Sequence, residues 1–213
     1  PFLVKEEKLL FTAQESGEEA VLPAVKQIIK NCVQGELDVD SMPIFDIEYL
    51  FLRLRAKSIG EEVTLGLKPW GCPQNNGELC KFTTEVTINL EEIECKKGKN
   101  HSSKIMLDDN VGIIMKYPDI SQIGIKGSEI EMGMKVIKSC INMIFTKEET
   151  HEKDSFTDKD LDEFIDSLNS KQMENINNFF ETMPTIKHTA KYTCKTCNEE
   201  KETTIQGLQS FFG

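Results

Sequence analysis

Apolar positions recur at helical spacing through the first part of the chain, then switch to strand-like alternation, and the same order returns toward the end. Residues 2–14 and 18–33 read as two helices, the second carrying Val25, Ile28, Ile29 and Cys32 at i, i+3, i+4 and i+7, with Pro23 near its tolerant first turn. Pro43 opens a third helix with Ile47, Leu50, Phe51 and Leu54 on one face, and Gly60 closes it. Glu61-Glu-Val-Thr-Leu-Gly-Leu67 and Phe82-Thr-Thr-Glu-Val-Thr-Ile-Asn-Leu90 then alternate as the arms of a hairpin. Two more strand-like runs follow, Lys104-Ile-Met-Leu107 and Val111-Gly-Ile-Ile-Met-Lys-Tyr117, the latter stopped by Pro118.

In the second half, residues 128–145 present Ile130, Met134, Ile137, Ile141 and Ile144 at helical spacing. An acidic connector over residues 147–154 leads to Thr157 and Asp160, a capping box with Asp in place of the usual Glu, which starts a helix with Leu161, Phe164, Ile165 and Leu168 inside. A further helix over residues 171–181 carries Met173, Ile176, Phe179 and Phe180, and Pro184 ends it. Ile186-Lys-His-Thr-Ala-Lys-Tyr-Thr193 and Thr203-Thr-Ile-Gln-Gly207 form a second hairpin. The expected fold is a single α+β domain over residues 1–213, with helices packed around two hairpins. Its sub-units are 1–90, 91–127 and 128–213. Helix followed by hairpin occurs twice, either as an approximate two-fold repeat or as the convergence of two ordinary units, since residue identities do not repeat.

Both hairpins are tipped by cysteines: Cys72 and Cys80 on the first, Cys194-Lys-Thr-Cys197 on the second. Two tips with two thiolates each supply the four tetrahedral ligands of a structural zinc ion, which would pin distant stretches of chain together in a zinc-ribbon-like site. The Cys-x-x-Cys pair has the usual knuckle spacing, whereas Cys72 and Cys80 stand wider apart, and the alternative is four reduced thiols in turns. A redox role fits poorly, because polar Asn198-Glu-Glu-Lys201 follows Cys197 where a helix would be needed. Cys95 and His101, in a Lys-rich loop, are substitute ligands, while Cys32 and Cys140 fall on apolar helix faces and read as core. Seven cysteines in a chain of 213 residues do not make a secreted disulfide framework, and the compartment reads as reducing.

A formal net charge of −11 opposes binding to a polyphosphate backbone, and the basic residues are dispersed. The one basic run, Cys95-Lys-Lys-Gly-Lys-Asn-His-Ser-Ser-Lys104, lacks interleaved aromatic residues and reads as a solvated loop. No apolar run approaches a membrane span. Catalysis is not expected: the three histidines are scattered, the carboxylates fall on helix surfaces, and neither a phosphate-cradling glycine loop nor HExxH occurs.

Pro1-Phe-Leu-Val-Lys-Glu-Glu-Lys-Leu-Leu10, Val25-Lys-Gln-Ile-Ile-Lys-Asn-Cys32, Phe45-Asp-Ile-Glu-Tyr-Leu-Phe-Leu-Arg-Leu-Arg-Ala-Lys-Ser58, Asp109-Asn-Val-Gly-Ile-Ile-Met-Lys-Tyr-Pro118 and the C-terminal Lys191-Tyr-Thr-Cys-Lys-Thr-Cys-Asn198 and Gly207-Leu-Gln-Ser-Phe-Phe-Gly213 together resemble a family of baseplate hub proteins. The family belongs to T-even-type contractile-tailed bacteriophages, and the resemblance covers nearly the whole chain. In such relatives a short strand-like leader precedes the first of these segments, which would account for a chain opening on Pro1. The resemblance implies a non-enzymatic structural part of the hub, or a factor for its assembly, made late in infection in the host cytoplasm and carried in the virion if structural. The implied partners are other hub or tail proteins, with no nucleic acid, membrane or small-molecule substrate. It supports the fold more than the metal, because family members carry the tip cysteines irregularly. The alternative is a zinc-ribbon nucleic-acid binder. Of the aromatic doublets Phe179-Phe180 and Phe211-Phe212, one ring each is a candidate contact for a partner, core packing against the hairpins being the favoured alternative, with Phe211 and Phe212 the docking candidates.

Overall fold

A computed structural model describes residues 2–67, 83–122, 125–194 and 198–211. In chain order the elements are α1 (Val4–Ser16), α2 (Glu18–Cys32), α3 (Ile44–Ser58), β1 (Glu62–Leu67), β2 (Thr84–Asn89), β3 (Glu94–Lys96), β4 (Lys104–Met106) and β5 (Gly112–Met115). They continue with α4 (Glu129–Cys140), β6 (Ile141–Phe145), β7 (Thr150–Glu152), α5 (Asp158–Asp166), α6 (Ser170–Thr182), β8 (Thr185–Thr193) and β9 (Glu200–Gln206). The fold is mixed α and β, with three small antiparallel sheets ordered β1-β2, β3-β8-β9 and β4-β5-β6-β7. The chain divides into two compact units, neither continuous in sequence: residues 1–39, 45–96 and 185–213 form one, residues 40–44 and 97–184 the other.

In the first unit Gly17, at φ 108°, sits in the left-handed region that favours glycine and turns α1 into α2, and the two helices pack on each other. Val25, Ile28 and Ile29 are fully buried, as the periodicity requires. Pro23 lies one turn deeper than expected, inside α2, where it withholds the N–H that would bond the carbonyl of Glu19. On α3 the buried stripe is Ile47, Phe51, Leu52 and Ala56, so Leu52 stands in place of the expected Leu50 and Leu54, which are half-buried. Arg53 donates from Nη1 to the Glu91 carbonyl at 2.9 Å and from Nη2 to the Ile93 carbonyl at 3.2 Å, and its guanidinium lies 4.9 Å from the Tyr49 ring centre. Those bonds fix the chain just before β3, a strand absent from the sequence reading, which pairs with β8 through Glu94–Lys187, Cys95–Ile186 and Lys96–Thr185. The second hairpin therefore becomes part of a three-stranded sheet, while β1-β2 stays two-stranded; the halves are not copies of one unit.

The second unit places a four-stranded sheet with α4, α5 and α6 around Ile105, Ile113, Met115, Ile137, Cys140, Ile141, Leu161, Ile165, Ile176 and Phe179. The helix expected over residues 128–145 ends at Cys140, and the same apolar run continues as β6. The reason is pairing: Lys116 N–H donates to the Cys140 carbonyl at 2.7 Å, and Ile141 and Ile144 then meet Met115 and Ile113 across the ladder. β-Branched Ile141 and Ile144 suit a strand better than a helix once a partner strand is present. The acidic connector is in part β7, an edge strand beside β6 whose residues are all exposed. Helix starts are capped as the sequence signals, Thr157 accepting from Asp160 N–H at 3.2 Å, and two boxes the sequence reading did not name occur at Ser128 with Glu131 and Asn169 with Gln172.

Gly112 pairs with Phe145 across β5 and β6, and a Cβ at Gly112 would lie 2.3 Å from the Phe145 ring. Lys104 covers that ring at 4.8 Å from its centre. Gly112→Ala should therefore cost about 1–3 kcal/mol of stability by overpacking. Urea unfolding of the full chain measures it; an unchanged midpoint would mean that the glycine is not held against the ring.

Candidate metal centre and interaction surfaces

Of the four cysteines expected to hold zinc, the structure places one. Cys194 directly follows β8, fully buried; its N–H donates to the Glu199 carbonyl at 2.9 Å, and its carbonyl accepts from Asn198 N–H at 2.8 Å. Asn198 has φ 55°, a conformation that asparagine tolerates better than most residues. Cys72, Cys80 and Cys197 lie outside the described residues. Among the described residues no three His, Cys, Asp or Glu side chains gather as metal ligands. Both hairpins belong to the first unit, and β2 lies against β8.

The remaining placed cysteines are poor thiolates. Cys95 is in β3 rather than a loop, half-buried; burial raises its pKa, and the carboxylates of Asp46 and Glu48 raise it further. Burial likewise raises Cys32 and Cys140, Cys140 being fully enclosed and Cys32 half-buried at the end of α2. A thiol held protonated is a weak nucleophile and a weak ligand.

His101, expected in a loop as a substitute ligand, has both ring nitrogens engaged in the second unit. Nδ1 lies 2.9 Å from Thr182 Oγ1 and Nε2 2.9 Å from Tyr117 Oη. Thr182 Oγ1 donates to the Asn178 carbonyl at 2.6 Å, so it accepts from His101, which puts the imidazole proton on Nδ1 and makes Nε2 the acceptor of the tyrosine proton. The ring stacks on Tyr117 at 5.6 Å and lies 5.1 Å from Phe179, with Phe180 edge-on to Phe179. Nearby Gly98 approaches so closely that a Cβ would lie 2.9 Å from Thr182 Cβ, and its N–H donates to the Thr182 carbonyl at 2.8 Å. His151 is exposed, 3.2 Å from Glu149, and His188 is half-buried in β8.

The docking candidates separate. Phe211 is fully buried, so while the fold is intact its ring serves the core and not a partner. Phe212 lies outside the described residues. Among the described residues large apolar side chains stand exposed elsewhere: Phe11 at 62 % and Ile59 at 48 % in the first unit, Ile130 at 76 % and Met134 at 40 % in the second. Ile130 and Met134 belong to the stripe that the sequence reading turned inward on α4. No helix among the described residues is long and apolar enough to cross a membrane.

A family described as T4 bacteriophage base plate protein matches residues 1–213. The chain belongs to that family. No curated protein and no solved structure matches this base plate protein.

Burial, then the charge of Lys97, lowers the pKa of His101. The unfolded chain, with an ordinary histidine near pH 6.5, therefore takes up the proton more readily than the folded one. The stability that His101 contributes should be complete above about pH 6.5 and decline as pH falls toward its lower folded pKa. Asp160, lowered by its bonds from Thr157, and Asp108, lowered by Asn110 and Val111 N–H groups, act at more acid pH, below about 4. Urea midpoints across pH 5–7 should fall with acid and flatten in His101→Gln; a parallel profile in the variant would refute the assignment.

Proposed function

We propose that this base plate protein acts without catalysis, by protein–protein contact, in the hub of the phage baseplate, either as a built-in part or as a factor for hub assembly in the host cytoplasm. The observation that carries the reading is the family match over the whole chain. Support comes from the exposed apolar residues of each unit and from the net charge of −11, which discourages nucleic-acid contact. Quantitative peptide mass spectrometry of purified tails and infected-cell lysate tests it. Recovery in tails at a fixed ratio to hub subunits makes the protein a structural component; presence in lysate alone makes it an assembly factor. Absence from both defeats the hub reading.

Zinc remains part of the proposal, held by Cys72, Cys80, Cys194 and Cys197 as a closed structural site. What supports it is the Cys-x-x-Cys spacing, the burial of Cys194, and the membership of both hairpins in one unit. Such a site would contribute folding energy directly. Elemental analysis of the purified full chain should find stoichiometric zinc, lost together with thermal stability in Cys194→Ser. Metal-free protein whose melting temperature is indifferent to chelator would exclude the site.

A further inference from the structure

In the second unit the apolar stripe of α4 runs through Ile130, Met134 and Ile137, of which Ile137 enters the core while Ile130 and Met134 stand exposed, one turn apart on one face. A Cβ at Gly133 beside them would meet nothing within 4 Å, so no described residue lies over this turn. Met134 is also the α4 wall of a surface groove of about 900 Å³ that follows α6 from Ser170 to Glu181. Buried Ile165 and half-buried Leu168 and Met173 line the same groove, which therefore shares an apolar residue with the exposed face of α4.

The charge of the lining is one-sided, Asp166, Glu174 and Glu181 against Lys171. Among the described residues none of these three carboxylates has a hydrogen bond or ion pair, whereas Asp162 and Glu163 elsewhere on α5 are held by Lys138 at 2.7 Å and Lys159 at 3.3 Å. Two of the three stand where a carboxylate is unfavourable. Asp166 is the last residue of α5 and Glu181 the last but one of α6, and neither helix has a basic residue in its last turn. The C-terminal end of a helix carries partial negative charge, so a cation is the favoured neighbour there and a carboxylate is repelled. Lys171 does not supply that cation to Glu181, because it lies in the first turn of α6, about 15 Å away along the helix.

We propose that this groove docks a basic amphipathic helix of a partner protein, with its apolar side chains against Met134, Leu168 and Met173 and its lysines or arginines at Asp166 and Glu181. The two negative helix ends select the cations. The lining selects the helix. It is almost entirely α5 and α6, whose backbones present no free sheet edge, so a docked segment must satisfy its own backbone groups, as a helix does. The α6 wall from Ser170 to Glu181 is about 16 Å long, room for three turns of a partner. Methionine at two of the apolar positions suits such a contact, because its unbranched side chain adapts to the shape it meets. The inference rests on the reading of this chain as one that acts by protein–protein contact and adds the chemistry of the partner.

The test uses the full chain, followed by amide chemical shifts, with an acetylated and amidated leucine-lysine amphipathic peptide of about 18 residues, long enough to form a helix in water. Two further peptides keep its pattern, one with glutamate for lysine and one with a central proline. The leucine-lysine helix should shift Met134, Leu168 and Met173, and the other two should bind about ten-fold more weakly or worse. Asp166→Asn combined with Glu181→Gln should weaken the leucine-lysine helix by about ten-fold, while the unfolding midpoint stays unchanged or rises because two carboxylates have left negative helix ends. Met134→Gln, at an exposed position, should weaken it without unfolding the protein. Equal binding of the lysine and glutamate peptides, equal binding of the proline peptide, shifts confined to other surfaces, or no binding would each overturn the proposal. So would shifts of Ile130 and Met134 that depend on protein concentration without peptide, which would put a second copy of this chain on the face. None of these results bears on whether the protein is found in tails, so the two readings fail separately.

Discussion

The pairing of β3 with β8 is the constraint on which the first unit rests, because it joins residues 94–96 to residues 185–187 and so closes a sheet across the whole of residues 97–184. β8 can be central only if both of its edges are paired, and without β3 the backbone groups of Ile186 and its neighbours would lack partners on one side. The approach to β3 is held by Arg53, whose guanidinium bonds the carbonyls of Glu91 and Ile93 and leaves the strand little freedom to shift. Where the chain leaves this unit at Lys96 and returns at Thr185, the two residues are ladder partners. Within the second unit Gly98 and Thr182 are joined in the same sense by a backbone hydrogen bond. Entry and exit therefore lie side by side, the arrangement that lets a segment fold as its own compact body between two strands. The long closure it demands makes the β3–β8 pairing a late, slow step of folding relative to the local hairpins.

Buried polar groups show how closely the rest is fitted. Glu6, only 1 % exposed, accepts Leu3 N–H at 2.9 Å and stands 3.5 Å from Lys5; burial pushes its pKa up, but these bonds more than offset it and the net shift is down. Glu48 goes the other way: burial raises it and the single bond from Leu208 N–H only moderates the rise. His101 has a partner at each nitrogen. Against this background Nη1 of Arg55 is an exception, enclosed with no hydrogen-bond partner among the described residues.

The sequence was most legible where a single period persisted between clear stops. Gly60 and Pro184 bound helices that form where expected, and the two hairpins pair antiparallel along their alternating arms. It failed where a period was supported equally well by two structures. Ile137, Ile141 and Ile144 fit a helix, yet the partner strand β5 decides the last two for a sheet. Three-residue β3 and β7 carry too little pattern to be seen, and the first lies in a run whose lysines suggested a loop. Glu6 and His101 look like surface residues because their burial depends on partners, Asn31 and Phe179 among them, far along the chain. Arg55 gave no signal at all: it is one of three basic residues near the end of α3, and only the geometry distinguishes it from Arg53 and Lys57.

The net charge and the exposed apolar residues act on different stages of any encounter. A net charge of −11 spread over a chain of 213 residues opposes self-association and favours encounter with positive surfaces, setting the rate and choice of partner more than the strength of binding. Strength must then come from a few desolvated anchors. Single exposed apolar residues such as Leu37 or Met106 are ordinary on any surface. Phe11 and Ile59 differ because they line one surface cavity together with buried Phe2 and Leu10, so an apolar group placed there would shed part of its water.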